Sequence, residues 1–267
     1  MGKLFAVVVA VITIVSTALF VSRTWWLPPD ISVLGAGIDH QLMETLVASG
    51  VLFVVSQLVL AAFVWRYGDR KDGRPIKTFP GGATPMVIGA TVLVAAEILV
   101  LSLVGTKVWG SIFLATPDPG ALRVDVQAEQ FAYYFRYPGP DGKLGARYPE
   151  LIDAGSGNYF GLDPANDTTA RDDIISATLV IPVNRQVLLT MHSKDVGHAF
   201  YVPDLRIQQD FVPGLEIPLQ FTATAVVKKE IVCTQLCGLG HFNMRAYLDV
   251  RTPDAFQQWL TEQVALQ

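Results

Sequence analysis

Charge is scarce in this sequence. Only 16% of its 267 residues are Asp, Glu, Lys or Arg, where a soluble globular chain carries about 25%. Cysteine is scarcer still, with two, and there are four histidines. Two cysteines are too few for a disulfide-built miniature fold. A net charge of −4 offers no basic surplus for a phosphate backbone, which excludes a nucleic-acid binder. Little charge together with 51% hydrophobic residues also excludes a disordered tail and an ordinary cytosolic enzyme. What the chain has in plenty is long apolar runs.

Those runs are concentrated near the start. Leu4 to Ser22 is uncharged over 19 residues, Thr45 to Trp65 over 21, and Glu97 is the only ionisable side chain from Thr78 to Thr106. A spanning helix needs about 20 apolar residues. The pattern predicts a membrane domain over 1–107 with three transmembrane helices at 4–22, 45–65 and 83–106. The first run also has the position of a signal peptide. It exceeds a usual signal core and lacks a clean A-x-A site, so a retained helix is the expectation. Five basic residues fall within Arg66–Lys77, and the loop before Thr45 holds only Arg23. The basic loop therefore belongs inside, and residues 108–267 are delivered to the far side. Trp25, Trp26, Trp65 and Trp109 stand at helix ends, where amphipathic rings favour the interface.

After residue 107 the pattern changes to short alternating runs. Leu122, Val124 and Val126 point one way, and Arg123, Asp125 and Gln127 the other. Further strands are expected at Ala177–Val183, Gln186–Met191, Leu215–Ala225 and Ala246–Val250. Strands without intervening helices predict an all-β sandwich or barrel, closed by one helix with Thr252 as cap and Pro253 at its first position. Phe256, Trp259, Leu260 and Val264 would line that helix's buried face. Pro138–Asp173 fits no strand pattern and carries seven acids. It reads as a solvated insertion, with an acidic docking surface for a cationic partner as the functional alternative. His40 reads as a surface residue in a loop before a helix, and His192 as a surface or hydrogen-bonded strand residue, neither as a metal ligand.

The chemistry concentrates in Cys233-Thr-Gln-Leu-Cys237-Gly-Leu-Gly-His241-Phe-Asn-Met244, with His198 upstream in Asp195-Val-Gly-His198. Thiolate, imidazole and thioether together suit copper. Gly238 and Gly240 allow the tight backbone that makes the donors converge. A disulfide across three residues would leave the His and Met spacing unexplained. Structural zinc sites rarely recruit methionine. A single blue copper would leave one thiolate over. Two coppers bridged by both thiolates use every residue.

This C-x3-C-x3-H-x2-M motif with an upstream D-V-x-H resembles subunit II of the haem–copper cytochrome c oxidases, over roughly residues 40–265. The resemblance implies a cupredoxin-like Greek-key domain behind a transmembrane hairpin, with a dinuclear copper A centre. Cys233 and Cys237 would bridge two copper ions, His198 and His241 would be terminal ligands, and Met244 and the main-chain oxygen of Gln235 would be weak axial ones. It implies an electron-entry subunit that passes electrons from a c-type cytochrome to a haem in subunit I, where oxygen is reduced to water. The complex is an oxidoreductase that translocates protons, but this chain alone transfers electrons only and has no catalytic residue of its own. Its partners would be subunit I, other oxidase subunits, the cytochrome donor and membrane lipid. Its place would be a bacterial inner membrane, multi-pass, with the copper domain on the periplasmic side. The Gln208–Gly214 turn and the Gln130–Tyr137 strand also resemble family segments.

Four departures qualify the resemblance. Gln235 stands where many members have a glutamate that helps to hold magnesium at the subunit interface, and a neutral amide is a poor ligand for a hard cation. The interface magnesium is therefore in doubt. The aromatic strand lacks the family's tryptophans, leaving Phe131, Tyr133 and Tyr134 as candidates for electron entry. The family's cytoplasmic glutamate is missing from Phe79–Met86, and Glu97 lies deeper, where it should face subunit I or be protonated. Helix 4–22 is additional to the hairpin. There is also no C-x-x-C-H for attached haem. The competing readings are a membrane-anchored copper carrier or chaperone and a copper-free quinol-oxidase type of subunit II. The complete ligand set argues against the second.

Overall fold

A computed structural model describes residues 1–24, 26–68 and 84–266. Trp25, the basic residues Arg70, Lys71, Arg74 and Lys77, and most of Phe79–Met86 lie outside the described residues. The chain forms two compact units, one of residues 1–27 and 37–109, the other of residues 28–36 and 110–267.

The first unit is helical. α1 spans Gly2–Val21, α2 Gly35–Tyr67 and α3 Thr84–Phe113, each long and apolar enough to cross a membrane. α2 starts ten residues before the apolar run at Thr45, because nothing between Gly35 and Glu44 breaks a helix once it is nucleated. His40 therefore sits on α2 instead of in a loop, with Nδ1 3.6 Å from the Glu44 carboxylate one turn on. Polar side chains join α2 to α3. The Gln41 amide donates to the Leu101 carbonyl at 3.2 Å, and the Ser49 hydroxyl donates to Glu97 at 3.4 Å. Glu97 thus faces its own hairpin partner.

The second unit is a two-sheet β-sandwich. β1 (Leu122–Glu129), β2 (Ala132–Tyr137), β3 (Ile174–Ser176), β5 (Gln186–Ser193) and β8 (Ile217–Thr222) form one sheet in the order β3-β2-β1-β5-β8. β4 (Thr178–Pro182), β6 (His198–Val202), β7 (Ile207–Phe211), β9 (Val227–Val232) and β10 (Arg245–Arg251) form the other, in the order β4-β10-β9-β6-β7. β1 runs parallel to β5 and β4 parallel to β10, and the other pairs are antiparallel. Alternating residues such as Val124, Val126, Phe135, Leu189, Phe200, Phe221 and Leu248 fill the space between the sheets and are fully buried. Each contributes roughly 1.5–3 kcal/mol by leaving water. α4 (Pro253–Val264) begins where the Thr252 hydroxyl accepts from the Ala255 amide. Phe256 and Trp259 are buried, and the Trp259 ring meets Tyr137 edge-on at 5.0 Å. Val264 is exposed, since the helix passes beyond the sheet before its last turn.

Two segments outside the strands belong to this unit. Residues 28–36 lie against the sandwich as a strap. The Ile31 amide donates to Asp204 O at 3.0 Å, Val33 to Thr222 O at 3.1 Å, and Thr224 to Ile31 O at 2.8 Å. The Ile31 side chain enters the core. The insertion Pro138–Asp173 is not simply solvated, because it covers the outward face of β1, β2 and β5. Arg136 of β2 is buried between Asp125 and Asp173, with the second pair at 3.1 Å. Arg147 from the insertion reaches Gln127 and His192, each at 2.6 Å, and Phe160 is buried beneath both guanidiniums. Charges aimed outward from the sheet needed partners, and the insertion supplies them.

Candidate metal centre

The β-topology brings the sulfur and imidazole donors to one end of the second sheet. β9 and β10 pair with Val232 opposite Arg245, so residues 233–244 form a closed loop between neighbouring strands. β6 pairs with β9 through Tyr201 and Val232, which sets His198 beside the start of that loop. One donor atom each from His198, Cys233 and Cys237 lies within 4.8 Å of the others. The two sulfurs are 3.8 Å apart and both thiols are free. Cys237 Sγ is 3.6 Å from His241 Nδ1 and 3.7 Å from Met244 Sδ, and Cys233 Sγ is 3.1 Å from the main-chain oxygen of Gln235. The six positions singled out in the sequence converge. The Gln235 side chain itself is exposed.

A set of hydrogen bonds holds this arrangement. Asp195 accepts from His198 Nε2 at 2.8 Å and from the Gln130 amide at 2.8 Å. His198 is fully buried, and its other nitrogen, Nδ1, has no hydrogen-bond partner. An imidazole fixed at one nitrogen with the other left bare is the geometry of a metal ligand. The Gln130 side chain donates to Cys237 O at 2.5 Å, and the Tyr133 hydroxyl donates to Ala199 O at 2.6 Å. Gly238 adopts φ +133°, and a Cβ on Gly240 would lie 2.5 Å from the Phe131 ring. Both loop glycines are thus required by the backbone and by the ring packed on it.

The electrostatics follow from burial and these contacts. Burial pushes the Cys233 thiol up, but the nearby His198 and His241 imidazoles and the Ala199 and Gln235 main chain outweigh it and bring the thiol well below its usual range. Burial and the charge of Cys233 hold Cys237 above it. The two thiols thus differ in acidity, Cys233 giving up its proton more readily than Cys237, and a bound cation would displace both protons. Burial, then the neighbouring Cys233 sulfur, keeps the Tyr133 phenol protonated.

The donor chemistry fits copper. Two thiols, two imidazoles, a thioether and a carbonyl face one another, and a buried ring nitrogen lacks a partner. The aromatic candidates separate. Phe131 is exposed and lies on the ligand loop, Tyr133 is buried behind Cys233, and Tyr134 stacks on Tyr159 of the insertion with centroids 3.5 Å apart. Sequence reasoning assigned no role to Asp195 or Gln130. The D-V-x-H spacing was the signal for the first, and none marked the second.

Residues 163–250 match the family profile described as cytochrome c oxidase subunit II, periplasmic domain. Over those residues the chain is similar to the cytochrome c oxidase subunit II family. The alternative cytochrome c oxidase subunit 2 of Bradyrhizobium diazoefficiens is 28% identical over 263 residues, covering 97% of this chain and 91% of that one. Cytochrome c oxidase subunit 2 of Synechocystis is 27% identical over 248 residues, covering 84% and 70%. Among solved structures, the periplasmic domain of subunit II from Bradyrhizobium japonicum aligns at 21% identity and a TM-score of 0.42, over 57% of this chain and 99% of that one. The family implies copper, and the described cluster of His198, Cys233 and Cys237 is suited to it.

Proposed function

We propose that this chain is the electron-entry subunit of a respiratory terminal oxidase, taking single electrons from a c-type cytochrome and delivering them to a haem in subunit I. The observation that carries the reading is the convergence of five side-chain donors and one carbonyl on a buried sulfur pair. His198, Cys233, Cys237, His241, Met244 and the main-chain carbonyl of Gln235 would hold two copper ions. Bound there, the pair of metals would supply a one-electron store. The protein's own part is rigidity. Asp195 fixes the His198 ring, Gln130 ties the Cys237 carbonyl, and Tyr133 ties β6 beside its ligand, so that little rearranges when charge changes. Phe131 is the proposed entry point, because its ring joins solvent to the ligand loop. The chain would sit in a bacterial inner membrane with the sandwich on the periplasmic side. The 18 acids against 12 bases in residues 108–267 suit a cationic donor.

The test is to load the full chain with copper and record metal content and electron paramagnetic resonance. Two equivalent copper nuclei sharing one electron give two coppers per chain and a seven-line pattern. One copper with four lines overturns the dinuclear reading. Copper that exchanges freely with a chelator within minutes would favour a carrier instead.

A further inference from the structure

α1 and α2 approach at one end and part at the other. At the approach, Lys3 Nζ lies 5.5 Å from the Trp65 ring centre, and Ala6 and Ala61 are both buried. At the other end a cavity of about 800 Å³ opens between Ser16–Trp26 and Met43–Val55. Phe20, Val21, Leu46, Phe53 and Val54 form much of its wall. Three of its four hydroxyls are bonded within the protein. Ser16 donates to Thr13 O at 3.1 Å, Thr45 to Gln41 O at 2.9 Å, and Ser49 to Glu97 at 3.4 Å. The lining is therefore apolar in effect. Arg23 and Trp26 stand at the mouth, with the guanidinium 5.0 Å from the indole ring centre. Among the described residues, no carboxylate pairs with Arg23.

Depth decides the kind of occupant. From Thr45 to Val55, α2 rises about 15 Å, half of the ~30 Å hydrocarbon core. A partner helix would need a groove running the full span, and the approach at Ala6 and Ala61 closes the inner half. We propose that this groove holds an acyl chain of one anionic phospholipid from the leaflet at the Val21 end of α1, with its phosphate at Arg23. An apolar slot one leaflet deep, with a cation where headgroups lie, matches that molecule in length, polarity and charge.

The test uses the full oxidase complex. With Val54 replaced by the photo-crosslinker p-benzoylphenylalanine, irradiation in native membranes should yield a phospholipid adduct. An adduct to polypeptide, or no adduct, overturns the proposal. Phospholipid is also counted by mass spectrometry in the mildly solubilised complex. A Cβ on Gly50 meets nothing within 4 Å, so Gly50→Leu fills the groove and should remove about one phospholipid per complex. Arg23→Gln should keep the lipid and lower its anionic-to-zwitterionic ratio several-fold. Unchanged count and ratio in both variants also overturn it. Should Gly50→Leu fail to assemble, the crosslink alone decides.

Discussion

The two units differ in what they bury. α3 has no buried residue, whereas seven of the eight residues of β1 are buried. The sandwich supplies its own interior and so can hold a buried set of sulfur and imidazole donors in place. The helices satisfy their backbone internally and leave most of their side chains outside any interior of their own. Precision at the site therefore comes from one unit, and dependence on surroundings from the other.

The contrast can be broken by substitution. The largest effect is expected for Arg136→Ala, which leaves Asp125 and Asp173 buried without their cation. It should cost the sandwich about 3–5 kcal/mol in denaturant unfolding without reducing the helical signal of the full chain. A loss below 1 kcal/mol would mean that the insertion is not clamped by these charges. Next, Ile31→Ala empties a core position filled by the strap and should cost about 2–4 kcal/mol. A neutral result would make the strap incidental to the sandwich.

A smaller effect depends on pH. Burial, then the charge of Arg147, brings His192 down to about 4 from 6.5. Between those values an unfolded chain binds the proton and the folded one does not, so acidification through that window favours unfolding. His192→Gln should remove on the order of 2–3 kcal/mol of that acid sensitivity. The check is the difference in unfolding free energy between pH 7 and pH 4, and an unchanged difference would refute the assignment. Least affected should be Leu99→Ala on α3, within about 0.5 kcal/mol in the isolated chain, because that side chain is exposed. A loss above 1 kcal/mol would show that the Leu99 side chain packs within its own chain.

Much of this was legible because the signals were local. The apolar runs marked the helices, and alternation marked β1, β5 and β10. The spacing of Cys233, Cys237, His241 and Met244 marked the ligand loop. β9 was not legible, since Lys228, Lys229 and Glu230 mask a strand with a single buried position, Ile231. β7 read as a turn because Gln208, Gln209 and Asp210 are polar, although Ile207 and Phe211 anchor it in the core. The strap and the insertion were hidden for another reason. Ile31 finds its partners at 204 and 224, and Arg136 finds Asp173, and no local pattern announces such pairings.

By itself, then, the sequence determined which atoms are available: three apolar spans, a β-rich exported part, and a soft-metal donor set with the glycines its loop requires. These are properties of composition and short-range period, which the chain carries before it folds. Only the tertiary structure decided that His198 stands beside Cys233 with Nδ1 bare, that Asp195 fixes its other nitrogen, and that Phe131 alone of the three aromatics joins solvent to the loop. Each depends on strand pairing between distant segments, and burial then makes each unpaired donor or charge costly enough to hold its partner in place.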